Sequence, residues 1–398
     1  MKKIVISFLG KARKAEGGEY RSLRYRFAEG QEVETRFFGL ALAERERPDL
    51  FILLGTSGSM WDVLFTGLGN GEEVSPEQLA LMEEVESNSV RQDRLDTLAP
   101  LLQARLGMEC HPMIIPFGRD AGEQMDILAI MADAVMAGDQ VHMDLTHGFR
   151  HLPMLGFLSA MFLKEVKKAV VAGLYYGGAD MAENDVAPVV ALDGLLTLAD
   201  WIGAVGRYDQ GGDYGVFAQL LRGEQGAVGS MGLLEEAAFF ERIGNSSSAR
   251  QKLDTFHQHF SQVPDTTLSP AARLFRKPLE KRIAWRRQEP QWAREGLLAQ
   301  HYLRRGDFLR AVIFGLESHV TRLMMEEKSG NPGDYESRKA AADDLRSRLP
   351  SFDALAKLRN ALAHGIRSTN KEMDAALASR SVLERRLKEI FKELKIGE

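Results

Sequence analysis

The sequence contains only one cysteine, Cys110, among its 398 residues. A single thiol excludes a disulfide within the chain and any zinc site built from several cysteines. Cys110 lies beside a predicted strand, so we interpret it as a small buried apolar side chain rather than a reactive thiol. Uninterrupted apolar runs are also short, and none approaches the roughly 18 residues that a membrane-spanning helix needs.

Strong charge of one sign is lacking as well, because the formal net charge is only −5. Any surface that binds nucleic acid must therefore be local. At the N-terminus, an apolar run over residues 4–9 follows two lysines, but it is short and charge returns at once, which argues against a signal peptide. We interpret this segment as a first strand and expect a cytoplasmic protein.

Residues 1–192 alternate between short apolar runs and amphipathic stretches. Continuous apolar runs are typical of strands buried on both faces of a parallel sheet, and the alternation predicts an open α/β sheet with helices on both faces. The predicted strands cover 2–10, 33–43, 49–55, 113–118, 141–145 and 169–176, and the predicted helices cover 75–105, 121–137 and 151–166. Residues 193–398 contain no convincing strand pattern and predict an all-α second domain.

Small and polar residues follow three of the predicted strands, at 8–11, 55–62 and 144–150. Ligands bind such sheets beyond the carboxyl ends of the strands, so these segments should share one rim. Backbone N–H groups and hydroxyls there favour phosphate, basic side chains add charge, and Trp61 or Phe149 could stack on a base. The candidate ligand-binding residues are Gly10, Lys11, Gly55, Thr56, Ser57, Ser59, Met60, Trp61, Asp144, Thr146, His147, Gly148 and Arg150.

Each part of this rim also has a plainer interpretation. Glycine and serine are ordinary loop residues, Trp61 is of a type found more often in the core, and His147 could be a structural histidine bonded to Asp144. A metal held by Asp144, His147 and His151 is not predicted, because that spacing crosses from strand to helix without a fixed ligand geometry.

Asp144, Thr146, His147 and Gly148, together with the loop at 55–62, resemble the CRISPR-associated DxTHG-motif family. The N-terminal half of that family is a CARF domain with a Rossmann-like sheet, and the likeness covers residues 1–192. It implies a homodimeric sensor of cyclic oligoadenylate, the second messenger of type III CRISPR complexes. A two-fold pocket accommodates rings of four or six adenylates, and we favour cyclic tetra-adenylate.

A second motif lies in the helical half, where Arg359, Asn360 and His364 resemble the HEPN ribonuclease motif. Arg359 and His364 are about 140° apart on an ideal helix, so they can border one groove, especially if a second protomer supplies its other wall. We assign His364 to acid–base work or to positioning the 2′-hydroxyl, and Arg359 to stabilising charge on phosphorus. Asn360 would orient the phosphate or hold His364, and the segment 308–324 would be a partner helix.

The order of the two halves resembles the CARF–HEPN accessory ribonucleases. It implies an allosterically activated endoribonuclease that needs no metal or other cofactor, and that cleaves single-stranded RNA in antiviral defence when cyclic oligoadenylate binds. Two alternatives stay open: a sensor or regulator without RNase activity, and a sensor that also degrades its ring activator. In the latter, Thr146, Ser57, Ser59 or Arg150 could position a 2′-hydroxyl for attack.

Residues 270–310 contain eleven lysines and arginines against four acidic residues, with Trp285, Trp292 and Tyr302 between them. This composition is expected of an RNA path that attracts phosphates and stacks bases. It is equally expected of solvated helix faces, and the sequence does not decide between the two.

Overall fold

The computed structural model describes residues 1–12, 20–65, 74–224, 229–328, 330–365 and 371–397, without the side chains of 371–373. The chain divides into two compact units, Met1–Leu196 and Thr197–Glu398. The first unit is α/β and the second is helical. The sequence pattern changes at 193, which is where the helix that runs from the first unit into the second begins.

The α/β unit is built on one eight-stranded sheet with the strand order β3-β2-β8-β7-β6-β1-β4-β5. The strands β7, β6, β1, β4 and β5 run parallel, whereas β7–β8 and β2–β3 are antiparallel pairs. The strands are β1 (Lys3–Leu9), β2 (Leu23–Arg26), β3 (Glu32–Thr35), β4 (Leu50–Gly55), β5 (Glu109–Ile114), β6 (Gln140–Asp144), β7 (Val170–Gly177) and β8 (Val186–Ala191).

Helices cover both faces of this sheet, and each face has its own apolar core. Successive residues of a strand point to opposite faces, so Ile4 and Ile6 of β1 join one core while Val5 joins the other. The core with Val5 contains α1 (Phe38–Glu46), α2 (Pro76–Glu86) and α3 (Gln92–Leu106), and the core with Ile6 contains α4 (Ala121–Asp133) and α5 (Leu152–Glu165). The predicted open α/β sheet with two helical layers is confirmed.

Several element boundaries differ from the prediction. The strand predicted over 33–43 is wrong beyond Thr35, because β3 ends there and α1 begins at Phe38. Phe37 precedes α1 without a side-chain cap, so the sequence lacks the usual signal for a helix start. The helix predicted over 75–105 is two helices, α2 and α3, and the short strands β2 and β8 were not predicted. Cys110 lies within β5 and is buried, which raises the pKa of its thiol to about 11.

The second unit is helical throughout its described part, with one large apolar core. Within it α11 packs along α12, and α12, α13 and α14 pack against one another. None of the described helices is both long and apolar enough to cross a membrane. The helices are α6 (Asp193–Gly211), α7 (Ala218–Leu221), α8 (Met231–Arg242), α9 (Ser246–Gln262), α10 (Pro270–Arg282), α11 (Gln291–Arg305), α12 (Phe308–Glu327), α13 (Tyr335–Arg348), α14 (Pro350–His364), α15 (Lys371–Ala376) and α16 (Arg380–Glu393).

Candidate functional site

The three polar strand ends lie side by side at the carboxyl edge of the sheet. Strand β1 is the middle of three neighbours, with β6 on one side and β4 on the other. Leu9 is paired with Gly55, and Ser7 is paired with Asp144. The loops that follow these strands therefore start from adjacent positions and form one rim.

Two glycines bring the loops after β1 and β6 into direct contact. A Cβ atom on Gly10 would lie only 2.6 Å from the backbone nitrogen of Gly148, so a larger residue at position 10 would push the loops apart. Gly148 itself has φ of +104°, a backbone conformation that side-chain-bearing residues rarely adopt. Both glycines are thus required by the geometry of the rim.

Asp144 and Thr146 hold the loop after β6 in place. The Asp144 carboxylate is fully buried and accepts hydrogen bonds from the Ser7 hydroxyl at 2.5 Å and the Thr146 backbone N–H at 2.7 Å. The Thr146 hydroxyl accepts a bond from the Gly177 N–H at 2.7 Å, which ties this loop to the end of β7. These two side chains build the loop and do not line the cavity at its edge.

The loop after β4 is tied to the end of β1. The Ser59 hydroxyl donates to the Leu9 carbonyl oxygen at 2.6 Å, and the Met60 N–H donates to the Gly10 carbonyl oxygen at 2.9 Å. Trp61 is fully buried, and its indole N–H donates to the Thr56 carbonyl oxygen at 2.9 Å. The expectation that Trp61 stacks on a base is therefore not met, since its ring packs inside the unit, and Met60 is buried as well.

A cavity of about 350 Å³ opens at this rim. Five of the candidate residues line it, namely Gly10, Lys11, Thr56, Ser59 and Gly148. The other candidates are not among its lining residues, namely Gly55, Ser57, Met60, Trp61, Asp144, Thr146, His147 and Arg150. Arg150 is exposed on the same loop as Gly148, whereas the Nε2 atom of His147 is buried without a hydrogen-bond partner in the described part of the chain.

Six further residues that are not in the candidate ligand-binding set also line the cavity. They are Leu9, Gly58, Asn88, Phe117, Phe149 and Leu152. Phe149 was named only as a possible stacking residue, although it directly follows Gly148 and is 48% exposed. Asn88 and Phe117 come from the loops before α3 and after β5, where no motif marks them. Only the folded sheet brings these loops to the rim.

Positive charge in the cavity comes from Lys11, whose ammonium donates to the Asn88 side-chain oxygen at 2.5 Å. Among the described residues that line the cavity there is no aspartate or glutamate. Backbone and hydroxyl groups at strand ends, together with one cation and no carboxylate, suit an anionic ligand. Within the described ranges no group of three or more His, Cys, Asp or Glu residues could hold a metal ion.

The second candidate site lies at the end of α14, in the helical unit. Arg359, Asn360 and His364 occupy its last two turns, and Gly365, with φ of +61°, ends the helix. Asn360 and His364 are exposed, while the Nε atom of Arg359 is buried and has no hydrogen-bond partner among the described residues. The segment predicted as a partner helix is part of α12, which packs against α14.

The basic stretch over 270–310 is divided by the fold. Trp285 and Tyr302 are buried in the core, so they cannot stack on RNA bases, and that part of the expectation is wrong. Five arginines are held in ion pairs, with Asp209, Asp254, Asp265, Glu289 and Asp307. The basic residues exposed to solvent are Arg273, Lys277, Lys281, Arg287 and Arg304.

Comparison with known proteins assigns the first unit. Residues 4–178 match the family model of the CARF domain of the CRISPR system endoribonuclease Csx1. The N-terminal unit is a CARF domain. The chain therefore contains a CARF domain in its N-terminal unit, as the residues Asp144, Thr146, His147 and Gly148 indicated.

Two further likenesses reach beyond the CARF domain. The CRISPR-associated protein MJ1674 of Methanocaldococcus jannaschii is 24% identical over 270 residues, which cover 62% of this chain. The match spans only 42% of that relative's length. Csm6 of Enterococcus italicus, solved with cyclic hexa-2′-fluoro-hexa-dAMP, aligns over 99% of this chain and 94% of its own, with 10% identity and a TM-score of 0.42.

Proposed function

We propose that this chain is a homodimeric sensor and effector of type III CRISPR antiviral defence. Cyclic oligoadenylate binds at the rim cavity of the CARF domain and activates a metal-independent endoribonuclease that cleaves single-stranded RNA. The observation that carries the proposal is a cavity at the strand ends of a domain that matches the Csx1 CARF model, in which the described lining residues include Lys11 and no carboxylate. Cyclic tetra-adenylate is the ring we favour.

The shape of the rim and its hydrogen-bond donors are suited to a ligand with several negative charges. Lys11 supplies a cation inside the cavity, and Arg150 is exposed on the neighbouring loop. The two loops approach each other through Gly10 and Gly148, which leaves their backbone close enough for a phosphate to contact directly. A cavity of about 350 Å³ accommodates part of a cyclic tetra-adenylate, so a complete site needs a second copy.

The surface of α4 and α5 supports a second copy as the partner. Met125 on α4 is 54% exposed, and Met154 and Leu158 on α5 are 66% and 60% exposed, so large apolar side chains face solvent on this layer of the sheet. The same helix α5 begins at Leu152, which lines the rim cavity. A two-fold axis along this surface would bring two cavities together around one ring.

The residues at the end of α14 support the cleavage chemistry. Attack of the 2′-oxygen on phosphorus breaks the bond to the 5′-oxygen, so one proton must leave the 2′-hydroxyl and another must reach the departing oxygen. His364 is exposed and can exchange protons, and the Arg359 guanidinium can stabilise the negative charge that develops on the phosphate. Asn360, on the same exposed end of the helix, would orient the phosphate.

Activation requires that the ring favour one arrangement of the dimer, because a ligand shifts an equilibrium only through different affinities for its two states. We expect RNA cleavage to rise when cyclic oligoadenylate is added and to be unaffected by EDTA. His364→Ala should reduce cleavage by about a hundredfold or more, the usual contribution of an acid–base group. His259→Ala, which changes another exposed histidine of the helical unit, is the matched control.

The outcomes separate the alternatives. Equal rates with and without ring would contradict the activation, and loss of cleavage in EDTA would contradict the metal-free mechanism. Ring binding without any RNA cleavage would instead indicate a sensor or regulator without RNase activity. Linear products formed from the ring by the His364→Ala protein would show that the rim degrades its own activator.

A further inference from the structure

The rim cavity contains an aromatic group that the proposed function leaves unused. Phe149 and Phe117 both line the cavity, with ring centroids 5.8 Å apart, and Phe149 also stacks on His151 at 5.9 Å. The His151 Nε2 atom is bonded to the Phe117 carbonyl oxygen at 2.9 Å, and the Arg119 guanidinium lies 4.5 Å from the centre of the Phe117 ring. The Phe149 ring is therefore held in place by its neighbours although nearly half of it is exposed.

Asn88 lies in the same cavity in an unusual backbone conformation. Its φ is +56°, which asparagine tolerates better than most residues, and a Cβ on Gly58 would lie 3.2 Å from its side-chain oxygen. That oxygen accepts the hydrogen bond from Lys11, while the amide nitrogen makes a long contact of 3.5 Å with the Glu86 carbonyl oxygen and no other hydrogen bond within the described segments. The backbone thus positions the Asn88 amide in the cavity, where its oxygen is bonded to the Lys11 ammonium. A phosphate would attract that ammonium more strongly than the amide oxygen does.

We infer that Asn88 and Phe149 form a purine subsite in which Asn88 selects adenine and Phe149 supplies the stacking surface. The inference rests on the proposed function. When a phosphate takes the Lys11 ammonium, the Asn88 oxygen and amide nitrogen become free to pair with adenine. The amide donates to N7 and its oxygen accepts from the 6-amino group, the bidentate pattern by which asparagine reads adenine. Hypoxanthine carries an oxygen at position 6 and offers only acceptors on that edge.

Lys11 thereby couples recognition of the phosphate to recognition of the base. Without a phosphate, the ammonium occupies the Asn88 oxygen, so a nucleoside that lacks phosphate must compete with it for this acceptor. With a phosphate, the cation gains a charged partner and the base gains a free amide. Binding of base and phosphate is therefore cooperative, which favours linked nucleotides over free nucleosides.

Calorimetric titration of the full-length protein with cyclic tetra-adenylate and cyclic tetra-inosinate tests the subsite. Cyclic hexa-adenylate and cyclic hexa-inosinate are measured in parallel. We expect the wild-type protein to bind the adenylate ring about tenfold more tightly than the inosinate ring, which is typical of a bidentate contact to one base. Asn88→Gly keeps a backbone that accepts positive φ but removes the amide, so it should bind both rings equally. Asn88→Asp should weaken the binding of both rings, because the new carboxylate would form an ion pair with Lys11 and keep it from the phosphate.

Phe149→Ala should lower the affinity for both rings by a similar factor of about ten, since stacking does not depend on the hydrogen-bonding edge of the base. Phe149→Tyr keeps the ring and is the matched control, and melting curves confirm that each variant is folded. Equal wild-type affinity for the two rings, or a preference that persists in Asn88→Gly, overturns the role of Asn88. Unchanged affinity in Phe149→Ala overturns the stacking role. No wild-type binding to any ring contradicts the proposed function itself and the subsite with it.

Discussion

Asp144 and His147 are close in the sequence, and burial acts on their pKa values in opposite directions. Burial raises the pKa of the Asp144 carboxyl, although bonds from Ser7 and Thr146 and the nearby His147 act against the rise. Burial lowers the pKa of His147, although Asp144 opposes this change. The segment most specific to the family places neither of these side chains in the lining of the rim cavity. Its contribution is the shape of the loop, and the cavity's cation is Lys11.

Two histidines of the helical unit make its stability depend on pH. Burial, with a smaller contribution from nearby arginines, lowers the pKa of His301 and of His319 from 6.5 to about 4. Between these values the unfolded chain binds protons that the folded chain does not, so stability is present above pH 6.5 and is lost as the pH falls towards 4.

We therefore expect His319→Gln to reduce the loss of unfolding free energy between pH 7 and pH 5 by about 2 kcal/mol relative to the wild type. Urea titrations at the two pH values measure this difference. Comparing the variant with the wild type cancels the contribution of other groups. His259→Gln, at an exposed position of α9, is the matched control for the substitution itself. An unchanged pH dependence in His319→Gln would contradict the assignment.

At the scale of elements, one buried carboxylate connects four helices of the second unit. Glu241 of α8 accepts hydrogen bonds from the hydroxyls of Tyr302 on α11 and of Tyr214, which begins the short 3₁₀ helix Tyr214–Phe217. Arg310 of α12 donates to the Tyr302 hydroxyl at 3.1 Å. Burial raises the pKa of Glu241, and the two tyrosine hydroxyls oppose that rise.

Glu241→Leu should lower the unfolding free energy by about 3 kcal/mol, because two buried hydroxyls lose their acceptor. Chemical denaturation measures the loss. Adding Tyr214→Phe and Tyr302→Phe to the same protein removes the unpaired hydroxyls and should recover part of the stability. If the triple variant is no more stable than Glu241→Leu alone, the cost lies in packing rather than in the hydrogen bonds.

Helices and strands were predicted correctly where a local pattern of residues marks them. The continuous apolar runs of β1 and β4 are buried on both faces, as expected. The prediction failed where an element depends on contacts with other parts of the chain. Strand β2 has only four residues and gains its pairing from β3 and β8, which lie far from it along the chain or across a turn. Helix α1 follows directly on a strand and has no capping side chain.

The same distinction applies to the rim. Gly10, Thr56, Ser59 and Gly148 follow strands and could be placed at the cavity because parallel strands end at one edge. Asn88 and Phe117 reach it from loops whose positions depend on the tertiary fold. Trp61 was misplaced because its position after a strand is compatible with both a surface and a core role. Its hydrogen bond to the Thr56 carbonyl oxygen is visible only in the structure.

For the whole molecule, the proposed function depends on two copies acting together. The rim cavity of about 350 Å³ would accommodate only part of the proposed ring, and one copy of α14 contributes a single set of Arg359, Asn360 and His364. A two-fold dimer would double both sites at once. The sensor and the ribonuclease would then share one requirement, so disrupting the dimer surface on α4 and α5 should abolish both responses even though it changes neither site directly.

The double variant Met154→Glu, Leu158→Glu tests this requirement. The two side chains are more than half exposed on α5, so the monomer should tolerate the change, whereas four buried carboxylates at a two-fold interface should prevent association. We expect light scattering to give the mass of one chain, ring affinity to fall at least tenfold, and ring-stimulated RNA cleavage to be lost. Met136→Glu changes a methionine that is 67% exposed and lies outside α4 and α5, and it should remain dimeric and active. A double variant that stays dimeric would place the interface elsewhere, and a monomer that still cleaves RNA in response to the ring would show that one copy is sufficient.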